Sequence, residues 1–442
     1  MDGFKERHHL FIMFQLNTSL VVPTDRRFLN RPAATEQELS IVGISPDWAE
    51  YVRVLDRQGN LALLHYVNTF VSDTDKRLNE EPLKAIGSIR GTIVDTVANR
   101  VVCRSFGYTP DVVVNDTDRL NTVLPAQDFT QTSFYRACEG TVVRLYHYNG
   151  EWQISTHRKI NAEKSYWAGP TFGEMFSELR QFNCDDLNTD RCYAFLMSHS
   201  ANRLVYKVPQ NQLMLIAIWD RSTGSFVQAT ETDLPKGTVL PTPVVGMGNV
   251  SELCHMVDSF ADIESFDAAG VIAIKNDNPG QPIKIVNEQY DSLRNARGND
   301  PNVRARYVQL RGTPAGGLLV KFFGEPEYQE AFDAAETEID TLVRKLHGMY
   351  INRYVKKDFS DLPKEEFVTL QRCHTWHCED RQCNIVTQDK VREILNGTPN
   401  HYLLIMLNRQ RRAVREQERA AALAAAAETE TETETAPSPT EN

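Results

Sequence analysis

The sequence predicts an α+β protein in which an antiparallel-rich region is followed by a helical C-terminal domain, and three observations carry that prediction. Short apolar runs separated by turn residues recur from Ser40 to about residue 295, as they do in antiparallel sheets. From Tyr328 the apolar spacing becomes helical and stays so. The chain ends in an acidic Thr-Glu repeat with proline, which cannot bury apolar surface and is expected to be disordered. At 442 residues the chain is too long for one ordinary core. The expected division is a strand-rich segment over residues 1–84, the antiparallel domain over 85–325, the helical domain over 326–420 and the tail over 421–442.

The elements follow in order. "YVRVLDRQGNLALLHYVN" alternates around Gln58-Gly59-Asn60 as a hairpin does, and "IRGTIVDTVANRVVCRSFGYTPD" forms a second hairpin turning at Ala98-Asn99. "CEGTVVRLYHYNGEWQISTHRK", Cys138 to Lys159, is a third, joined at Asn149-Gly150, where both residues tolerate positive φ. Phe172, Met175, Phe176 and Leu179 then recur at helical spacing after a Pro-Thr start. Arg191 to Gln228 contains three strands, with turns at Ser200-Ala201-Asn202 and Ser222-Thr223-Gly224. "SELCHMVDSFADI" is a helix, and "AAGVIAIKNDNPGQPIKIVNEQY" is strand, turn and strand.

Composition narrows the function classes. A net charge of −11 argues against a surface that binds nucleic acid everywhere, while a local basic groove remains compatible with it. The apolar run Leu10 to Phe14 is too short for a signal peptide or a membrane span, and no later window is long enough. Eight cysteines without regular spacing read as reduced thiols, so the expected location is a cytoplasm-like compartment, with neither secretion nor a membrane partner.

The segments "RGTIVD…NRVVCRSFGYT", "EGTVVRLYHYNGEWQISTHR", "YAFLMSHSANRLVYKVPQNQLMLIAIWD" and "AGVIAI…PIKI", in this order, resemble the adenylyltransferase domain of RNA ligases of the phage type. The chain looks closest to the ligase-like proteins of large DNA viruses, over about residues 85 to 295. The resemblance implies a ligase-like nucleotidyltransferase domain. In that family a Lys-x-Asp-Gly motif opens the central hairpin, and its lysine attacks the α-phosphorus of ATP, which requires a partly neutral, desolvated amine. The matching residues here are Ala137, Cys138, Glu139 and Gly140, so the nucleophile is absent.

Two family carboxylates are also replaced: Phe195 is followed by Leu196, and Ala269-Gly270-Val271 stands where a Glu-Gly pair is usual. Of the Lys-x-Lys that binds phosphates, Lys284-Ile285-Val286 keeps one lysine. Glu139, Gly140, Arg158 and Lys284 remain as the implied nucleotide or phosphate-binding set.

Three functions follow from the resemblance. The first is a catalytically degenerate RNA-ligase-like protein, a pseudoenzyme that keeps a groove for a nucleotide, RNA or other single-stranded nucleic acid. The second is an active ligase that uses ATP and magnesium with an unorthodox acceptor. Lys159 and Lys164 are the candidates for it, although both fall after the second strand, at the far end from the reaction. The third is a virion-associated interaction protein with viral protein partners.

Individual residues keep two readings each. Cys138 is a reactive thiol or a small packed hydrophobe. Arg158 and Lys284 hold a phosphate together or pair with acidic neighbours such as Glu139. Tyr146, Tyr148 and Trp152 stack a base or fill a core. In "RCHTWHCEDRQCN", Cys373, His377, Cys378 and Cys383, with His374, are ligand types for a structural zinc, or belong to a metal-free amphipathic helix. "NRQRRAVREQER" contacts nucleic-acid phosphate or is a solvated helix with Arg–Glu pairs at i and i+4.

Overall fold

The computed structural model describes residues 30–67, 85–104, 106–167, 169–205, 210–260, 268–324 and 328–434. The chain forms two compact units, Met1–Asp291 and Ser292–Asn442.

Three sheets build the first unit. One is an antiparallel meander of β1 (Val52–Gln58), β2 (Leu61–Tyr66), β3 (Thr92–Asp95) and β4 (Arg100–Cys103). Gly59 at φ 55° makes its first turn. Every residue of β2 is buried because the sheet is covered on both faces. Leu64 and Val94 face a core with Leu39 from helix α1 (Glu36–Ile41), whose start is fixed by a Thr35/Glu38 capping box. Leu61, Leu63 and Ile93 face Tyr146, Cys192 and Trp219 of the second sheet.

That second sheet runs β11 (Ser225–Val227), β10 (Gln212–Asp220), β9 (Arg191–Ser198), β7 (Thr141–Tyr148) and β8 (Glu151–Thr156), with β12 (Thr238–Val239) parallel to β10. The β7–β8 hairpin turns on Asn149 at φ 51° and Gly150 at φ 87°, the pair of positive angles that this tight turn demands. Helix α3 (Phe172–Leu179) covers the sheet and, like α1, starts at a capping box, Thr171 with Glu174.

In the third sheet the order is β5 (Asp111–Val113), β14 (Ile283–Val286), β13 (Gly270–Lys275) and β6 (Thr132–Arg136), with β5 parallel to β14. Helices α2 (Thr117–Val123) and α4 (Val250–Ser259) complete its core. Gly270 has φ 142°, and a Cβ there would lie 2.0 Å from the Ile285 carbonyl oxygen, so only glycine lets β13 start against β14.

The second unit is helical. Helix α5 (Glu288–Arg297) crosses from the first unit, followed by α6 (Val303–Leu310), α7 (Pro314–Phe323), α8 (Gln329–Tyr350), α9 (Lys364–Glu379), α10 (Gln388–Asn396) and α11 (Asn400–Glu434). Ile339, Leu342, Leu346, Leu370, Leu395, Leu403 and Leu407 meet in one core. Among the described residues no helix is long and apolar enough to cross a membrane.

The antiparallel-then-helical order is as expected. β2 pairs with β3, so residues on both sides of residue 84 share one sheet. Val308 packs into the core of the helical unit, which takes in the chain from Ser292. Helix α11 runs to Glu434, through an alanine-rich stretch of high helix propensity. Residues 435–442 lie outside the described residues.

Candidate functional site

The site is assembled where β6 leaves the third sheet and β7 enters the second. Two backbone hydrogen bonds fix the crossing: Ala137 N donates to Gly270 O at 2.9 Å, and Ala269 N donates to Ala137 O at 2.6 Å. Both alanines are 1% exposed, so the floor is closed and apolar. Gly140 follows, and a Cβ there would lie 2.5 Å from Met197 O and 3.0 Å from the Leu196 Cγ. Close passage against β9 therefore explains the glycine without any ligand. Ala137 and Ala269, which stand where the resemblance implies a lysine and a carboxylate, thus meet at this crossing, and Leu196, at the second implied carboxylate position, lies beside Gly140.

Glu139 is buried and already engaged. Its Oε1 accepts from Tyr290 Oη at 2.5 Å, its Oε2 from Val205 N at 2.8 Å, and its backbone oxygen from Ser198 Oγ at 2.6 Å. Tyr290 lies on α5 and also meets Lys284, whose Nζ is 3.4 Å from Oη and 4.9 Å from the ring centroid. Glu139, Tyr290 and Lys284 form one continuous chain of contacts. Burial pushes the Cys138 thiol up despite nearby Arg136 and Lys284, so the neutral, packed form is favoured over a thiolate.

The far side of the hairpin's open end is basic. Register pairs Val143 with Thr156, so residues 157–159 return beside the start of β7. This corrects the expectation that Lys159 and Lys164 lie at the far end. Lys159 Nζ is 3.5 Å from Asp56 Oδ1, and Lys164 is exposed at the end of the turn Ala162–Lys164. Arg158 is exposed, and its charge, like that of Arg90, acts on Tyr66, whose hydroxyl burial pushes up to about 12. His157 is held well below the usual histidine value, first by burial and then by Arg90 and Arg144.

Arg144 pins this end together. It is fully buried, donating to Gly91 O and, at 2.5 Å, to Thr156 O. Gly91 has φ 68°, and a Cβ on it would meet His157 Cα at 2.8 Å.

Comparison with known proteins finds no matching family model. The sequence is similar to the immediate-early protein ICP-46 homolog of Invertebrate iridescent virus 3, 23% identical over 375 residues that cover 79% of each chain. Among solved structures the chain is similar to an archaeal ATP-dependent RNA ligase, with TM-score 0.37, 13% identity, and 69% of this chain and 75% of that one covered. It is also similar to a putative ATP-dependent DNA ligase from Aquifex aeolicus, with TM-score 0.36, 12% identity, and 74% and 85% covered.

The remaining sequence candidates separate. Tyr146 is fully buried between two sheets, Tyr148 Oη donates to Asp95 Oδ2 at 3.0 Å, and Trp152 packs on Tyr193, so this aromatic stripe is core. Around Cys373, His377, Cys378 and Cys383, as elsewhere among the described residues, no three His, Cys, Asp or Glu side chains are placed to hold a metal ion. Cys373 is buried in the helical core, where desolvation pushes its thiol to about 11. His377 Nδ1 meets Asn384 O at 2.6 Å, and Cys378 Sγ meets His374 Nε2 at 3.5 Å.

Sequence reasoning missed Tyr290, Arg144 and Val205 N, each of which meets the site from a distant segment. At the two positions where the resemblance implies carboxylates the chain has Leu196 and Ala269, which offer no oxygen ligand to a hard divalent cation.

Proposed function

We propose that this chain is an RNA-ligase-like protein that does not transfer a nucleotide and uses the open end of the β7–β8 hairpin to bind a nucleotide or single-stranded nucleic acid. The observation that carries the reading is the closed backbone crossing of Ala137 with Ala269 and Gly270, with Leu196 beside Gly140 and Lys284 contacted by Tyr290, itself held by Glu139. Scattered loss of motif residues would be compatible with misalignment; the backbone pairing of Ala137 with Ala269, with Leu196 beside the neighbouring Gly140, counts against it.

In this reading Lys284 is the phosphate contact of the third sheet and Arg158 the one that follows β8, as a point charge and a bidentate donor respectively. Glu139 leaves the ligand-binding set and serves as the clamp that positions Tyr290. No metal takes part, and no residue acts as nucleophile.

The test is salt-dependent binding of single-stranded RNA by the full chain before and after Arg158→Ala with Lys284→Ala. Each lost phosphate contact is expected to lower the slope of log affinity against log salt by about 0.7. Binding that the double substitution leaves unchanged in strength and slope contradicts the proposed groove.

A further inference from the structure

Helix α11 carries a second basic surface, in the unit that the hairpin site does not use. Its arginines fall into two groups. Arg409 pairs with Glu366 and, at 2.8 Å, with Glu365 of α9, and Arg411 meets Glu338 of α8 at 2.9 Å, so both are spent on internal packing. Arg412, Arg415 and Arg419 are exposed and, among the described residues, have no ion pair.

The expected pairing of Arg412 with Glu416 at i and i+4 is not formed either, which removes the simplest reason for the run. The three arginines are three and four residues apart, hence about 4.5 and 6 Å along the helix on one face. That face is turned away from the packed side, which buries Leu403, Met406 and Leu407.

We propose that this outward face of α11 is a docking surface for the phosphate backbone of a nucleic acid. Three features select that partner. Guanidinium groups present forked donors that match phosphate oxygens, and a row of them spaced along a helix follows a chain of repeating negative charge. Between Asn408 and Arg419 the apolar residues are Ala413 and the exposed Val414, and at about 100° per residue both fall to the sides of the face that holds Arg412, Arg415 and Arg419, whereas a protein interface needs an apolar centre. It has no aromatic residue either, so it reads backbone and not bases, without sequence preference. Glu416 at the rim of the face limits the affinity and makes it strongly salt-dependent.

The test uses the full chain, with Arg412→Gln, Arg415→Gln and Arg419→Gln combined to keep helix propensity, and fluorescein-labelled oligouridine and a mixed-sequence duplex of about 20 nucleotides as probes. Anisotropy is read between about 50 and 200 mM salt, with circular dichroism confirming that the helix is intact. The expected result is at least about tenfold weaker binding at the lowest salt and a slope smaller by about 2, while Lys284→Ala in the first unit keeps the α11 contribution. Parent-like affinity and slope in the triple variant overturn the proposal, as does a parent that binds neither probe. If binding falls with Lys284→Ala and not with the triple variant, the hairpin site stands and this one fails.

Discussion

Replacing Glu139 with alanine tests the clamp on which the geometry of the site depends. The carboxylate accepts one hydrogen bond from the Tyr290 hydroxyl and one from the Val205 amide, and the residue is only 9% exposed. Removing it leaves two buried donors without an acceptor. Hydrogen bonds to a charged group contribute about 1.5–3 kcal/mol each, and stranded donors add their desolvation cost, so Glu139→Ala should destabilise the first unit by about 3–5 kcal/mol. Tyr290→Phe removes one of the two bonds and should cost about 1–2 kcal/mol.

The double variant should cost less than the two single changes together, with a coupling of at least about 1 kcal/mol. Urea unfolding followed by tryptophan fluorescence reads this unit selectively, because of the five tryptophans only Trp376 belongs to the second unit. A Glu139→Ala loss under about 0.5 kcal/mol, or additivity with Tyr290→Phe, would refute the clamp.

Four further outcomes are expected. His157 stays neutral in the fold while the unfolded chain takes up a proton near pH 6.5, so stability should fall as pH drops below that value, by up to about 1.4 kcal/mol per pH unit, and His157→Gln should flatten the slope between about pH 7.5 and 5.5. Unfolding free energies of parent and variant that fall in parallel would sink this account. Gly270→Ala should cost upwards of about 3 kcal/mol or prevent folding, read by the same urea transition, since the new Cβ has no room beside Ile285 O. Arg144→Met should cost about 2–5 kcal/mol by leaving the carbonyls of Gly91 and Thr156 without a donor, again read in urea. Chelator treatment should move the thermal midpoint of the second unit by less than about 1 °C, whereas a structural zinc would make it fall by many degrees.

What was legible in the sequence was what local chemistry dictates. Gly59 and Asn149-Gly150 announce their turns because few residues accept positive φ, and the switch to helical spacing at Tyr328 follows from the apolar stripe that α8 must bury. The third sheet was harder, since β5 has only three residues and its partner β14 lies far along the chain. Nothing local marks Tyr290 as the partner of Glu139, because 151 residues separate them. Arg144 sits in an alternating strand where a charge ordinarily points to solvent; only the approach of Gly91 shows why it is buried. The cysteine and histidine spacing around Cys378 named suitable donor atoms but could not say that Cys373 is buried in the helical core or that Cys383 lies beyond the end of α9.

The central claim is that the hairpin keeps its architecture without its nucleotidyl-transfer chemistry, and the most direct test is incubation of the full chain with α-labelled ATP and magnesium beside an active ligase. The account predicts no acid-labile labelled adduct on the protein while the control labels well. A covalent adduct that maps to Lys159, Lys164 or any other residue of the chain would contradict it.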